Sequence, residues 1–291
     1  MSGPLAVHLA TGATTVCRCW RIDRADGVRL GFTDHDRDLI FEDVVFRADT
    51  GMTARSLSQS TGLSVDNTEA LGILSDAAVT EADIAAGRYD GAEVRSWLVN
   101  WARPGERELR FRGTLGEIVR GGGAFHAELR GLAEALNQPV GRAYQPVCDA
   151  VLGDAACRFD LTAPGFRLEA DVAKVEGAVV SVPDMDRVRG FFRHGRLEVL
   201  GGAAAGLSEM VREDGARGGL RHLTLWQALR ADLKPGDRVR LTAGCDGQAA
   251  TCRGKFGNFL NFRGFPHVPG EDWLAAVPRS GEVNDGGRRD G

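Results

Sequence analysis

The chain has 291 residues, of which 43% are hydrophobic, and a formal net charge of −4, so it can form one large domain or two of ordinary size. Its mean hydropathy of −0.19 is typical of a soluble globular protein, and no apolar run approaches the roughly 18 residues that a membrane helix needs. The sequence offers no basic face and no secretory signal, which argues against nucleic-acid binding and export. We therefore expect folding in a reducing cytoplasm, where clustered cysteines more often bind metal or do redox chemistry than form disulfides.

The amino-terminal half predicts β-structure. A strand at Thr15–Asp23, a turn at residues 25–27 and a return strand from Val28 are typical of a hairpin. Further strands are expected in DLIFEDVVFRA, AEVRSWLVNW and RELRFRGTLGEIVR, which are rich in β-branched and aromatic residues. Two short helices are predicted, one in TEADIAAGRYDG with Thr80 as its N-cap and Gly87 at its end, and one in LRGLAEALN.

The second half follows an irregular stretch, QPVGRAYQPVCDAVLGDAACRF, which we interpret as a domain boundary. Short strands are predicted again in FRLEADVAKVEGAVVSVP, GRLEVLGG, GLRHLTLWQ and DRVRLTAG. The polar, Gly-rich end predicts a disordered tail. The sequence therefore predicts a mainly β fold with few short helices and two β-rich domains, residues 1–144 and 145–278, followed by a disordered tail at 279–291.

Four cysteines form two pairs that resemble each other. Cys148 and Cys157 have eight residues between them, Cys245 and Cys252 have six, and 87 residues separate the pairs. The second pair lies in GCDGQAATCRGKFGNFLNFRGFP, which matches neither a helix nor a regular strand. Structural zinc sites usually place about two to four residues between cysteines, and an iron–sulfur cube spreads its ligands farther apart.

The residues alone therefore predict a metal centre and leave zinc and iron–sulfur both open. The alternative, four small buried hydrophobic residues, fits poorly with loop positions beside Asp, Arg and Gly. Arg158 and Arg253, which follow the second cysteine of each pair, would help to offset the negative charge of four thiolates.

Other candidate residues predict structural roles. The segment TDHDRD concentrates the ionisable residues Asp34, His35, Asp36, Arg37 and Asp38, which could suggest a metal or acid–base site. At the end of a hairpin strand such a cluster is more often a solvated turn whose side chains bind local backbone. Cys17 and Cys19 alternate along a strand and predict core residues on one face. No nucleophile elbow, Walker loop, Rossmann fingerprint or Cys–His pair indicates an enzyme.

Five motifs carry a resemblance: LGFTDHDRDLIF, LVNW, RGTLGEI, YQPVCDAVLGDAACRFDL and GNFLNFRGFPHVPG. They resemble a phage-tail family of formerly unknown function, whose best understood members are tail hub proteins of alphaproteobacterial gene transfer agents. The match runs from about Gly12 to Gly270, and the last two motifs are the most specific. Such hubs are similar to long-tailed phage tail-tip proteins that bind an iron–sulfur cluster. The resemblance implies the ligands Cys148, Cys157, Cys245 and Cys252, with [4Fe–4S] as the expected cluster and zinc as the alternative.

The resemblance also implies a function. A structural hub with a tail-tube-like β-barrel and a cysteine-cluster domain would form a homotrimeric ring around the tail channel, between the distal tail protein and the fibre-bearing tip protein. The tail's cell-wall peptidase is a further expected partner, and DNA would be met only in transit. The protein would be assembled in the bacterial cytoplasm and reside in the virion tail. The alternatives are a zinc-stabilised hub and a soluble iron–sulfur redox protein, and no cofactor or substrate motif beside the thiols favours the latter.

Overall fold

A computed structural model describes residues 3–48, 67–70, 79–121, 124–131 and 141–268 of the chain. Contacts within the chain divide it into two units. Unit 1 comprises Met1–Val140, Val199–Leu207 and Leu229–Leu233, and unit 2 comprises Gly141–Glu198, Ser208–Ala228 and Lys234–Gly291. The predicted domain boundaries remain a prediction, and the predicted tail at 279–291 lies outside the described residues. In the described ranges no helix is long and apolar enough to cross a membrane.

Unit 1 is built on one eight-stranded sheet. Its strands are β1 (Val16–Asp23), β2 (Arg29–Thr33), β3 (Leu39–Phe41), β4 (Val44–Arg47), β5 (Asn67–Ala70), β6 (Glu93–Asn100), β7 (Arg107–Gly121) and β8 (Ala124–Gly131). The order in the sheet is β3-β4-β2-β1-β6-β7-β8-β5, in which β2 and β4 pair in parallel and β1 pairs antiparallel with both neighbours. The order has β3 and β5 at its two ends, so closure of this sheet into the predicted barrel remains a prediction.

Strand β1 contributes to the core on both faces because its side chains alternate. Trp20 and Ile22 join one buried cluster, and Cys17 and Cys19 join another, which also contains Phe46, Phe41 and Trp97. Cys19 is fully buried and Cys17 nearly so, which confirms the prediction that both are core residues.

Two short helices accompany this sheet, α1 (Pro4–Leu9) and α2 (Glu81–Ala85). The hydroxyl of Thr80 accepts a hydrogen bond from the Asp83 amide at 3.1 Å, which confirms Thr80 as the N-cap of α2. Gly87 follows with a φ of 73°, a left-handed conformation that glycine tolerates and that ends the helix.

Unit 2 contains a seven-stranded sheet. Its strands are β9 (Arg167–Asp171), β10 (Lys174–Glu176), β11 (Val179–Pro183), β12 (Arg196–Val199), β13 (Ser208–Arg217), β14 (Leu220–Leu225) and β15 (Arg238–Thr242). Their order is β10-β11-β14-β13-β12-β15-β9. Its core consists of aliphatic side chains that are almost fully buried: Val180, Val182, Leu197, Val211, Leu223, Leu225, Val239 and Leu241.

A buried ion pair lies beside this core. The guanidinium of Arg221 is 3.1 Å from the carboxylate of Asp214, and both side chains are 0% exposed. The same Asp214 oxygen accepts a hydrogen bond from the Phe192 amide at 2.8 Å, and the Arg221 guanidinium lies over the Phe192 ring. Such a pair stabilises the fold only while both partners are present, because each alone would be an uncompensated buried charge.

The mainly β prediction is confirmed, and the strands expected in the quoted segments are present. The differences are of three kinds. Helix α1 and strands β5, β8 and β13 were not predicted. The helix predicted in LRGLAEALN begins at residues 129–131, which belong to β8, and the rest of it lies outside the described residues. The third difference concerns the second cysteine pair, since Ala249–Gly254 forms a helix (α3) and Phe259–Asn261 a 3₁₀ turn where we expected irregular chain.

Candidate metal centre

The four cysteines all lie in unit 2, where backbone contacts bring their loops together. The amide of Cys148 donates to the carbonyl oxygen of Gly247 at 2.8 Å. Gly247 has a φ of 72°, and a Cβ there would lie only 3.3 Å from the Cys148 carbonyl oxygen. Glycine therefore permits both the turn and the close approach, which places Cys148 against the segment that joins Cys245 to Cys252.

Asn258 connects Cys157 to Cys252. Its side-chain Nδ2 donates to the Cys157 carbonyl oxygen at 2.7 Å and lies 3.5 Å from the Cys157 sulfur. Its backbone amide donates to the Cys252 carbonyl oxygen at 3.0 Å. Asn258 thus joins Cys157 to Cys252, and each of these is the second cysteine of its pair.

The chain after α3 then returns to Cys148. The amide of Arg263 points at the Cys148 sulfur, 3.4 Å away, and the Phe265 amide donates to the Gln145 carbonyl oxygen at 2.8 Å. A Cβ on Gly264 would lie 2.6 Å from the Pro146 carbonyl oxygen, so only glycine fits without movement of the backbone. The FRGF segment, residues 262–265, is consequently part of the site.

Aspartates shape the loops that carry the cysteines. Asp154 accepts hydrogen bonds from the amides of Cys157, Ala156 and Val151, and these bonds, the one from Cys157 first, lower the pKa of Asp154. Asp246 accepts from the Gln248 amide and the Thr251 hydroxyl, both at 2.9 Å, at the start of α3. Such Asx interactions fix irregular chain without a large core of its own.

The four thiols are free and near one another. No disulfide joins them, and Cys157 and Cys252 are only 9% and 8% exposed. Burial raises the pKa of Cys252, and the charges of Cys245, Cys148 and Cys157 raise it further. Burial also raises the pKa of Cys245, the Gly247 amide opposes this rise, and Asp246, Cys148 and Cys157 add to it. As thiolates the four would repel one another, and a bound cationic centre would relieve that repulsion.

Lys255 is a further cation near the thiols, besides the predicted Arg158 and Arg253. Arg158 donates to the carbonyl oxygen of Ala155, and the Arg253 guanidinium lies 4.2 Å from the Phe259 ring centroid, so their effect on the thiols stays a prediction. Burial lowers the pKa of Lys255, and the negative charge of Cys245 raises it. The four cysteines could be named as candidates from the sequence, but Asn258 and Lys255 could not. The available signals were that both lie within seven residues after Cys252 and that Asn258 belongs to the motif GNFLNFRGFPHVPG.

The donor set fits an iron–sulfur cluster. Four cysteines without disulfides are the ligands that such a cluster takes, and two of the sulfurs have N–H groups directed at them, from Arg263 and Asn258. Over the part of the chain that the structure describes, no group of three or more His, Cys, Asp or Glu side chains is arranged to hold a metal ion. The thiol ligands themselves suit either an iron–sulfur cluster or a zinc ion, so the choice between the two stays a prediction.

The TDHDRD segment uses its side chains locally. Asp34 accepts from the Arg18 amide at 2.6 Å, Asp38 from the Ala48 amide at 2.8 Å, and His35 Nδ1 from the Arg37 amide at 3.0 Å. The His35 ring also lies 5.0 Å from the Trp101 ring. These bonds are those of a structural turn.

Two family models match the chain. The first is described as "Baseplate hub protein, N-terminal attachment domain" and matches residues 2–160, which include Cys148 and Cys157. The second is described as "Phage conserved hypothetical protein BR0599" and matches residues 190–272, which include Cys245 and Cys252. Both cysteine pairs therefore lie in matched segments.

Among solved structures, the chain is similar to a chain of the "Virion of native gene transfer agent (GTA) particle". The two are 55% identical, the match covers 98% of this chain and 99% of the other, and the TM-score is 0.88. Among curated proteins no match was found.

Proposed function

Since the chain belongs to the baseplate hub protein family, we propose that it is the structural tail hub of a phage-like particle of the gene-transfer-agent type. It is a virion tail component. The observation that carries the proposal is the 55% identity, over 98% of this chain, to a chain of a native gene transfer agent virion.

The hub would act by assembly and not by catalysis. In this proposal it forms a homotrimeric ring around the tail channel, with the distal tail protein on one side and the fibre-bearing tip protein on the other. The tail's cell-wall peptidase is the remaining protein partner. DNA crosses the ring only in transit, and a formal net charge of −4 is compatible with a channel component that does not retain DNA.

The four cysteines would hold an iron–sulfur cluster with a structural role. The ligands are Cys148, Cys157, Cys245 and Cys252, and the cluster type is [4Fe–4S]. When bound, the cluster supplies folding free energy to loops that have little apolar core of their own. The proposal is supported by the convergence of the four loops, by the mutual effect of the thiols on their pKa values, and by the N–H groups directed at two sulfurs.

Deletion of the gene tests the structural role. Without the hub, heads should still form and fill, and tails should fail at their distal end, so that transduction is lost. Complementation with the intact chain is the control. Normal transducing particles from the deletion strain would contradict the hub proposal.

Metal analysis of the purified chain tests the centre separately. We expect about four iron and four sulfide per chain and a broad visible absorption, with no stoichiometric zinc. One zinc without sulfide would keep the ligand set and replace the cluster with the zinc alternative. Electron transfer by the purified chain from a soluble donor to an acceptor, beyond reduction of the cluster itself, would instead favour a redox protein.

A further inference from the structure

A half-buried lysine lies beside the candidate metal centre. Lys255 is one of three lysines in the chain, and its Nζ donates to the carbonyl oxygens of Phe191 at 2.6 Å and Gly244 at 2.7 Å. The ammonium also lies 4.3 Å and 5.2 Å from the ring centroids of Phe191 and Phe256. Carbonyl oxygens and ring faces carry only partial negative charge, so these contacts leave much of the lysine's charge uncompensated.

The anionic group that acts most strongly on Lys255 is a candidate ligand. Burial lowers the pKa of Lys255. The negative charges of Cys245, Asp246 and Asp214 raise it, and that of Cys245 has the largest effect of the three. Within the described ranges, Lys255 makes no ion pair with a carboxylate, whereas Lys174 pairs with Glu176 at 2.6 Å. The ammonium is therefore partly desolvated and held directly by backbone carbonyl oxygens, while Asp246 and Asp214 act on it without forming an ion pair.

The position of Lys255 also couples the segments that carry the second cysteine pair. Lys255 directly follows α3, which contains Cys252, and its partner Gly244 directly precedes Cys245. The Phe191 carbonyl oxygen accepts from both the Gly244 amide, at 3.0 Å, and Lys255. A Cβ on Gly244 would collide with the carbonyl oxygen of Arg193, so this loop is held tightly against residues 191–193.

We propose that Lys255 is the positioning residue and internal counter-cation of the four-cysteine centre, an inference that rests on the metal centre proposed above. It fixes the loop before Cys245 relative to α3, and its charge offsets part of the negative charge of four thiolates. A nearby cation stabilises the more negative, reduced form of such a centre and so raises its reduction potential. Lys255 thereby contributes both to retention of the metal and to the potential at which the centre is reduced.

Three variants of the full chain separate position from charge. Lys255→Met removes both the donors and the charge, Lys255→Gln keeps a donor without the charge, and Lys255→Arg keeps the charge. Lys234→Met is the matched control, because Lys234 is exposed and outside the cysteine loops. The readouts are the rate of metal loss to a chelator, the reduction potential from a spectroscopic titration, and far-UV circular dichroism of the metal-free chain.

We expect Lys255→Met and Lys255→Gln to lose metal roughly 10- to 100-fold faster than the parent chain, because changing a partner of a metal ligand typically lowers metal affinity by that factor. The centre should also be reduced at a lower potential in these two variants. Lys255→Arg should have a loss rate and a potential nearer to those of the parent chain, and Lys234→Met should have the same values as the parent. Parent-like loss rate and potential in Lys255→Met would overturn this inference and leave the centre intact. If Lys255→Met does not fold, equal loss rates and equal potentials for Lys255→Gln and Lys255→Arg would overturn the counter-cation role. A parent chain that binds neither iron nor zinc would overturn the centre and this inference together.

Discussion

The side-chain amide of Asn258 contacts two atoms of Cys157, since its Nδ2 lies 2.7 Å from the carbonyl oxygen and 3.5 Å from the sulfur. The Asn258 Oδ1 accepts in turn from Asn261 Nδ2 at 2.7 Å, which fixes the orientation of the amide. An N–H group held against a thiolate stabilises its charge and orients it toward a metal.

Replacing Asn258 should therefore weaken the centre. We expect Asn258→Ala to lose bound iron to a chelator roughly tenfold faster than the parent chain, because one sulfur loses its donor and the Cys157 loop loses its tether. Gln248→Ala is the control, since Gln248 also carries a side-chain amide but is exposed, and that amide makes no capping bond at the start of α3. Equal rates for the two variants would show that Asn258 does not support the centre.

The two cysteine pairs should behave as one energetic unit. If Cys148 and Cys252 bind the same centre, either Ser substitution should abolish iron and sulfide and expose the loops of unit 2 to protease. The double variant should be little worse than either single one, because the shared interaction can be lost only once. The measurements are metal content and the protease sensitivity of roughly residues 145–270.

Cys17→Ser provides the control for this series. It should keep iron and sulfide and lose only local packing, with a cost within the usual spread of about 0.5–3 kcal/mol for a single substitution. Additive effects of Cys148→Ser and Cys252→Ser, in a chain without metal, would show that the pairs hold nothing in common.

The TDHDRD turn should be dispensable for metal binding. His35→Ala removes the acceptor of the Arg37 amide and the contact with Trp101, so we expect a stability loss of about 1 kcal/mol and unchanged iron content. Thermal unfolding and metal analysis of the same preparation measure both. Loss of a stoichiometric metal, with the four distal cysteines intact, would contradict the structural role.

The sequence predicts those parts of the fold where local pattern and burial agree. Strand β1 was predicted because apolar and aromatic residues run through it, and they are buried on both faces. Strand β13, SEMVREDGAR, was missed because it has few apolar residues, and what holds it is pairing with β12 and β14. Pairing across the sheet is a tertiary effect that a local pattern does not contain.

The same limit applies to the candidate centre. Cysteine is recognisable as a candidate metal ligand from its residue type alone, so the four cysteines could be named from the sequence. The contacts of Lys255 with Phe191 and of Asn258 with Cys157 span 64 and 101 residues, and only the folded loops bring these partners together. An asparagine or a lysine in a glycine-rich loop has many ordinary roles, which is why neither was predicted.

Stability should depend on pH through Asp26. Hydrogen bonding to the Arg24 guanidinium, above all, lowers the pKa of Asp26 in the folded chain. A carboxyl whose folded pKa lies below the unfolded value, about 3.9, contributes stability above that pH and loses it as the pH falls through the folded pKa. We expect Asp26→Asn to cost about 1–2 kcal/mol at neutral pH, with the difference from the parent narrowing below about pH 4.

Urea unfolding between neutral pH and about pH 3 measures this difference. Glu108→Gln is the control, because Glu108 and its partner Arg110 are both about half exposed, and such pairs contribute about 1 kcal/mol or less. A difference for Asp26→Asn that stays constant down to the lowest pH would contradict the role of its charge.

The buried pair of Arg221 and Asp214 should be among the most sensitive positions of unit 2. Arg221→Met leaves the Asp214 carboxylate buried without its cation, and one of its oxygens already has no hydrogen-bond partner. We expect a loss of about 3–5 kcal/mol, measured by urea unfolding. The double variant with Asp214→Leu should recover much of that loss, since it also removes the stranded charge, although the Phe192 amide then loses its acceptor. Arg212→Met, at an exposed site beside Glu213, should change stability by less than about 0.5 kcal/mol. If Arg221→Met cost no more than this control, the pair would not be a determinant of the unit 2 fold.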